Sequence, residues 1–374
     1  MMADEELMPA AEVASEKAKN EAAAAEKVKA EADAEERRSF PKLGRMVSDF
    51  IDQPAPSLPV LLARKAKVTR NRREETTMEP WMPAGVLGMI ASPGGVGKTN
   101  LLLSLAGHVA AGVDWCGLKV MQSGAVAIVL GEEDDGECQR RIQWSWNVLD
   151  PDARSRAAAR TLVLALAGTG DNRLVEENKQ TGPQKSKRAE DLVAYLKQKG
   201  AELGGWSLVV VDPFARFAGM DAEKDNASAT STITVLEELL RLPGSPTVLF
   251  SHHCRKGKKE DEGTDPVEMI RGSSAIKDGA RWVAMLERRT TDADGNGQAV
   301  LRVVKTNRTS WDYALELKTL KGVVTGGEPK LVADIRAERA AENGSGRGGK
   351  TDPKPKAGGA GAEANERRQI PGAV

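Results

Sequence analysis

Short apolar runs alternate with helical patterns between residue 81 and about residue 330. Five runs have the length and the continuous apolar character of buried strands, namely Val86–Ala91, Ala125–Leu130, Thr161–Leu166, Leu208–Val211 and Thr247–Ser251. The segments between them show helical spacing of apolar residues, namely Lys98–Ala111, Asp135–Val148, Arg188–Lys199 and Ser228–Leu242. Strands that alternate with helices form βαβ units, so we predict an α/β fold with a mainly parallel central sheet.

Two further runs of strand-forming residues follow this pattern. Arg281–Glu287 and Ala299–Val304 are separated by a segment that contains Asp-Gly-Asn-Gly. This turn sequence predicts a β-hairpin. We expect the hairpin to extend the sheet in antiparallel fashion at its C-terminal side.

The two ends of the chain contain few residues that could form a core. Residues 11–38 are almost entirely Ala, Glu and Lys, which predicts either a solvated helix or a frayed tail. Residues 39–80 include a basic run, Arg64 to Arg73, and we interpret them as a linker or arm. The Gly-, Lys- and Pro-rich tail is predicted to be disordered. The expected division is a polar helical arm with a basic linker (1–80), an α/β domain (81–330) and a disordered tail (331–374).

Composition excludes several classes of protein. Lys plus Arg and Asp plus Glu both number 54, so the chain is neither a polycation nor an acidic solvating chain, and any nucleic-acid contact must use local patches. The three cysteines form no CxxC pair and only three histidines are present, which argues against a disulfide framework and a structural metal centre. The sequence shows neither a signal peptide nor a membrane-spanning run, so we expect a cytoplasmic protein without membrane contact.

The segment from Ser92 to Thr99, SPGGVGKT, lies between a predicted strand and a predicted helix. Its glycines let backbone N–H groups surround phosphate oxygens, and the start of a helix favours anions. The pattern predicts that ATP phosphates and Mg²⁺ are bound here by Gly94, Gly95, Val96, Gly97, Lys98, Thr99 and Asn100. Lys98 would contact the β- and γ-phosphates, and the Thr99 hydroxyl would ligate Mg²⁺. Ser92 stands where the strict pattern has glycine.

Polar residues follow three other predicted strands. Asp212 ends an apolar strand, which is typical of a carboxylate that holds Mg²⁺. The acidic run from Glu132 to Asp135 either supplies a base for the attacking water or forms a solvated helix start. His252 and His253 either contact the γ-phosphate or have a core or capping role.

Together the motifs GGVGKT, LGEEDD, VVVDPFARFAG, FSHH and RGSSAIKDGARW resemble the RepA-type hexameric replicative helicases of plasmids and phages. These are RecA-like, AAA_25-like P-loop ATPases related to DnaB. The resemblance covers roughly Trp81 to Leu317. It implies a RecA-like core that forms a homo-hexameric ring around single-stranded DNA, with ATP bound between subunits.

The resemblance also implies roles for single residues. Glu133 would be the catalytic base, Asp212 the second Mg²⁺ anchor and His253 the γ-phosphate sensor, with His252 a less certain neighbour. Arg281 matches the arginine that a neighbouring subunit inserts to stabilise the transferring phosphoryl group.

The identity of this inserted arginine has competing candidates. Lys305 and Arg308, in KTNRTSW, lie where DnaB-like relatives place such residues after a late strand. Their spacing differs from that of DnaB, so Arg281 ranks first.

Single-stranded DNA is the expected partner. The Lys-rich loop from Cys254 to Glu260 either lines the channel of the ring or is a solvated charged loop. The favoured function is an ATP-dependent hexameric DNA helicase that translocates on single-stranded DNA. The alternative is a RecA-like DNA-dependent ATPase that acts in recombination or repair without unwinding, and a vestigial scaffolding protein is a weaker third possibility.

Overall fold

The computed structural model describes residues 46–51, 53–70, 73–220, 222–255, 266–309 and 313–345. The chain divides into two compact units, residues 1–57 and residues 58–374. The first unit contains the short helix α1 (Ser48–Ile51). The helices of the second unit are α2 (Lys98–Ala111), α3 (Asp135–Ser145), α4 (Pro151–Ala159), α5 (Lys187–Glu202), α6 (Phe214–Phe217), α7 (Asn226–Glu238), α8 (Ser274–Gly279) and α9 (Val332–Ser345). Its strands are β1 (Val60–Arg70), β2 (Arg73–Pro83), β3 (Leu87–Ser92), β4 (Leu118–Val120), β5 (Ala125–Leu130), β6 (Thr161–Ala165), β7 (Val175–Asn178), β8 (Gly182–Lys185), β9 (Trp206–Asp212), β10 (Thr247–His253), β11 (Trp282–Thr291), β12 (Asn296–Thr306), β13 (Tyr313–Leu320) and β14 (Val323–Leu331).

A nine-stranded sheet organises the described part of the second unit. Its order is β14-β13-β12-β11-β3-β10-β9-β5-β6. The strands from β11 to β6 in this order are all parallel, and β12, β13 and β14 are antiparallel to their neighbours. The predicted α/β class with a mainly parallel, RecA-like sheet is therefore confirmed. Parallel strands place all their carboxyl ends at one edge, and the phosphate-loop motif follows β3 at that edge.

The parallel strands are buried on both faces, which explains their continuous apolar runs. In β5 the residues Val126, Ile128 and Leu130 pack on one face with α2, α3 and α4. Ala127 and Val129 pack on the other face with α5 and α7. Two helical layers therefore shield the sheet and hold its strand ends in fixed positions.

The C-terminal antiparallel part is larger than predicted. The hairpin of β11 and β12 is present, and two more strands, β13 and β14, continue the sheet beyond it. The alternation in Tyr313–Leu320 buries Leu315 and Leu317 beneath this extension. These strands bring the turn at Lys321 and Gly322 to the region of the phosphate loop.

Residues 60–83 are not a linker, as the sequence interpretation had them. They form the antiparallel pair β1 and β2, and β4 pairs with β1 to complete a three-stranded sheet. Basic side chains along β1 alternate with buried residues such as Ala63 and Ala66. The basic run thus belongs to a strand with one buried face.

The remaining predictions about the ends have mixed outcomes. Residues 332–345 form α9, although the sequence analysis placed them in the disordered tail; Ile335 is buried against Val300 and Ala314 and so gives the helix a packing face. Residues 1–45, with the Ala-, Glu- and Lys-rich segment, and residues 346–374 lie outside the described residues. The predicted domain division stays a prediction. Among the described helices, none is long and apolar enough to cross a membrane.

Candidate active site

The loop between β3 and α2 has the backbone of an anion site. Gly95 and Gly97 adopt φ values of 75° and 107°, which favour glycine. Gly97 is the N-cap of α2 and makes no side-chain hydrogen bond to the helix. The first N–H groups of α2 are therefore available to an anionic ligand.

Lys98 is buried beneath this loop, and the loop itself holds the ammonium group. Its Nζ donates to the carbonyl oxygen of Ser92 at 3.3 Å and to the Ser92 hydroxyl at 3.1 Å. It also lies 3.4 Å from Nδ1 of His253. Burial lowers the pKa of Lys98, and the carboxylate of Asp212 opposes this effect. The serine that replaces the first glycine of the motif is thus a direct partner of the motif's lysine.

Asp212 lies at the carboxyl end of β9 and is almost completely buried. The Ser251 hydroxyl, from the neighbouring β10, donates to Asp212 Oδ1. Burial raises the pKa of Asp212, while hydrogen bonds from Ser251 and Thr99 and the charge of Lys98 act in the opposite direction. Asp212 Oδ2 is buried and has no hydrogen-bond partner in the described part of the chain.

The acidic run after β5 divides into different roles. Asp134 caps α3 through a 2.8 Å hydrogen bond from the Glu137 amide to its Oδ1, and Glu132 is exposed and accepts from Arg216 Nε at 3.0 Å. Glu133 is only 6% exposed. Both alternatives from the sequence therefore apply, each to a different residue of the run.

Glu133 faces the same region as Asp212. Burial is the main cause that raises the pKa of Glu133, and the charge of Asp212 adds to it; Arg141, 3.5 Å from Glu133 Oε1, lowers it. Glu133 Oε2, like Asp212 Oδ2, is buried without a hydrogen-bond partner among the described residues. Unpartnered buried carboxylate oxygens are the ligands that Mg²⁺ and its bound waters prefer, so the residues present fit that ion.

The two histidines of β10 point in different directions. His253 contacts Lys98, and burial, together with the charge of Lys98, lowers its pKa. His252 donates from Nε2 to the carbonyl oxygen of Arg271 at 2.8 Å and packs edge-on against Phe214. The structure thus brings only His253 to the phosphate loop, whereas His252 is a core residue.

Arg281 lies at the opposite edge of the sheet from its own phosphate loop. Its amide donates to Leu87 O at the beginning of β3, five residues before Ser92. That separation is about 17 Å along a strand. The exposed Arg281 side chain is therefore remote from the nucleotide site of its own chain.

The competing candidates share this edge. Lys305 Nζ donates to the carbonyl oxygens of Lys277 and Asp278, at 2.6 Å and 3.3 Å, so it is engaged at the end of α8. Arg308 is exposed beside the hairpin of β1 and β2. These contacts leave Arg281 and Arg308 as the freer guanidinium groups.

Three contacts at the phosphate loop were not predicted from the sequence. Arg288 Nη2 donates to Gly95 O at 2.6 Å, and Asn100 Nδ2 donates to Gly322 O at 3.1 Å. Arg141 approaches Glu133 from α3. Arg288 and Gly322 belong to no local motif, and only the register of β11, β13 and β14 could have located them.

The predicted DNA-contacting loop is only partly described. Cys254 is buried and pairs with Ile270 in an isolated bridge. Residues 256–265, which carry its lysines, lie outside the described residues. Within the described part of the chain, no group of three or more His, Cys, Asp or Glu side chains could hold a metal ion by itself. A Mg²⁺ ion at this site would therefore depend on phosphate and water ligands as well.

Comparison with known proteins places the chain in a family. A model of the AAA_25 family, described as an AAA domain, matches residues 53–259, which is more than half of the chain. The chain is also similar to the crystal structure of the RadB recombinase, with 15% identity, a TM-score of 0.41, and 64% of this chain and 90% of that chain covered. For a second solved structure, the ATPase domain of a helicase, the identity is 13%, the TM-score is 0.42, and the coverage is 64% and 84%.

Proposed function

Because the chain belongs to the AAA_25 family of AAA domains, we propose that this RecA-like P-loop ATPase is a DNA helicase of the plasmid or phage replication type. It hydrolyses ATP, and the energy would drive translocation along single-stranded DNA within a hexameric ring. The observation that carries the proposal is the convergence of Lys98, Glu133, Asp212 and His253 at one edge of the parallel sheet.

The nucleotide would bind with its phosphates on the glycine turn. The free N–H groups at the start of α2 and the Lys98 ammonium would neutralise the phosphate oxygens. On binding, Lys98 would exchange its bonds to Ser92 for bonds to phosphate. Thr99 and Asp212 would hold Mg²⁺, and a bound Mg²⁺ ion supplies positive charge to the phosphates.

Glu133 would orient the attacking water and accept its proton. Its buried, unpartnered Oε2 makes it a stronger base than an exposed glutamate, because its pKa is raised. His253 would sense the γ-phosphate through the position that it shares with Lys98. Loss of that phosphate would change the charge that His253 faces, and β10 would transmit the change to the loop that follows it.

The arginine of the transition state would come from a neighbouring subunit. Arg281 is exposed at the edge of the sheet remote from its own loop, so it can serve only another copy of the chain. This position supports a ring in which each site lies between two subunits. A cytoplasmic location, predicted from the sequence, remains part of the proposal.

The decisive experiment measures ATP turnover by the purified chain with and without single-stranded DNA, together with its mass in solution. We expect DNA to stimulate turnover and the mass to correspond to about six subunits. A forked DNA duplex then tests strand separation directly. The matched controls are Lys98→Ala, which should lose nucleotide binding, and Glu133→Gln, which should bind ATP without hydrolysing it.

Other outcomes would redirect the assignment. Stimulated turnover by a filament that separates no strands would favour the recombination or repair alternative. ATP hydrolysis that is indifferent to DNA in every assembly state would contradict both proposals.

A further inference from the structure

Arg288 connects the antiparallel extension to the phosphate loop of the same chain. β11 runs parallel to β3, with Met285 opposite Ala91, so its last residues emerge beside the loop that follows β3. There the guanidinium group of Arg288 donates to the carbonyl oxygen of Gly95 at 2.6 Å. The strand therefore delivers a positive charge to the loop in addition to that of Lys98.

The neighbouring arginine shows what is unusual about this position. Arg289, on the other face of β11, is largely buried and forms an ion pair with Glu316 at 3.1 Å. Arg288 is exposed, and no carboxylate in the described part of the chain pairs with it. One donor of its guanidinium fork is used by Gly95, and the remaining donors are available.

A second part of the extension contacts the other end of the loop. Asn100 Nδ2 donates to Gly322 O at 3.1 Å, and a Cβ atom on Gly97 would lie 3.3 Å from that oxygen. Lys321, beside Gly322, is exposed at the same turn. The phosphate loop thus lies between Arg288 and the turn that joins β13 to β14.

We propose that Arg288 is a nucleotide-binding residue that contacts the phosphates of a nucleoside triphosphate bound to its own chain. A planar guanidinium group binds phosphate oxygens through two parallel hydrogen bonds, and the exposed fork at Gly95 is within one side-chain rotation of the glycine turn. Each site would then contain two arginines, Arg288 in cis and a second arginine from the neighbouring subunit. This inference rests on the proposed function only in requiring that the loop binds a nucleotide.

The test compares three substitutions at this position by titration with a fluorescent ATP analogue and Mg²⁺. Arg288→Ala should weaken binding about tenfold, the usual size of one charged hydrogen bond. Arg288→Gln keeps an N–H donor for Gly95 O but removes the charge, so it should weaken binding nearly as much. Arg288→Lys keeps the charge without the fork and should fall between the parent and the alanine variant. The exposed Arg160, at the C-terminal end of α4, provides the matched control Arg160→Ala, which should bind like the parent.

The direction of the change separates a ligand from a loop support. If Arg288 only positions the loop, the glutamine variant should bind like the parent, and that result would overturn the inference. If Arg288 holds the loop closed in the absence of nucleotide, the alanine variant should bind equally well or more tightly, which would overturn it too. Failure of the parent chain itself to bind the analogue would contradict the proposed function as well, so the two failures are distinguishable.

Assembly by mixed subunits tests whether the contact is in cis. Arg288→Ala and Lys98→Ala would each disable the site of their own chain, so a mixture of the two should be no more active than the average of its components. Recovery of turnover on mixing would place Arg288 at a neighbour's site and would contradict the assignment.

Discussion

Ser92 explains how the phosphate loop accommodates a departure from the strict motif. Its hydroxyl accepts from Lys98 and donates to Pro93 O, so the serine side chain is internal to the loop and leaves the glycine turn open. Ser92→Gly would remove these bonds and add backbone freedom. We expect ATP turnover to stay within about threefold of the parent, while the free energy of unfolding falls by about 1 kcal/mol. Urea unfolding and a turnover assay on the same preparation check both parts, and a tenfold loss of turnover would show that the serine has a direct role.

The buried Glu133 makes stability depend on pH in an unusual direction. Its pKa is raised in the folded chain, so the folded state retains a proton that the unfolded state has lost. Stability from this group is therefore full below the unfolded pKa and declines as pH rises through the folded pKa. We expect Glu133→Gln to raise the thermal midpoint at pH 7 and to lose that advantage as the pH falls towards the ordinary glutamate pKa of 4.5.

Glu137 provides the matched control for this experiment. Hydrogen bonds from Arg141 and Arg140 lower its pKa, so its contribution is present above the unfolded pKa and is lost as pH falls through the folded pKa. Glu137→Gln should therefore lower the thermal midpoint at pH 7, or leave it unchanged, since the side chain is well solvated. A rise for both variants would indicate a general effect of removing acidic charge.

At the scale of elements, the hairpin of β1 and β2 is attached to the C-terminal extension through one side chain. The Arg64 guanidinium lies 3.4 Å from the ring centroid of Tyr313 and also pairs with Glu79. A double-mutant cycle of Arg64→Gln and Tyr313→Leu, measured by urea unfolding, should give a coupling energy of about 0.5–2 kcal/mol. The control cycle replaces Arg64 by Lys67, which is largely exposed and pairs with Glu74, and should give a coupling close to zero.

The elements differ in how much of them the sequence predicts. The strands of the parallel sheet are buried on both faces, so continuous runs such as Leu208–Val211 are sufficient to locate them. β14 has Gly326, Gly327 and Pro329, which are poor strand formers, and it is held by pairing with β13 rather than by its own propensity. β1 was missed for a related reason, because its basic residues occupy only the exposed face.

The candidate site shows the same division. Each polar residue that ends a parallel strand could be predicted to lie near the phosphate loop, since all these strands end at one edge. The sequence could not predict that Lys98 and His253, 155 residues apart, would be in contact, or that Glu133 would be buried beside Asp212. Arg288 could not be predicted at all, because its place depends on the register between β11 and β3.

At the scale of the whole molecule, β11 spans the sheet from one edge to the other. It begins beside the exposed Arg281 and extends past Arg288, next to the phosphate loop. In a ring, the first residue would face one nucleotide site and the second would face another. A shift of this strand on nucleotide binding would therefore be felt at both sites, which gives neighbouring subunits a physical means of acting in sequence.

The assignment of Arg281 to a neighbour's site leads to a prediction about mixed assemblies. Arg281→Ala alone should leave nucleotide affinity nearly unchanged and lower turnover at least about a hundredfold, because such an arginine stabilises charge that develops only in the transition state. Glu133→Ala alone should also abolish turnover. A mixture should recover part of the activity, since an Arg281→Ala chain with an intact Glu133 can receive Arg281 from a Glu133→Ala neighbour. The same mixture made with Arg308→Ala instead of Arg281→Ala identifies the inserted residue, because only the true donor should show both the loss and the recovery. Absence of recovery for both arginines would mean that neither acts across a subunit boundary.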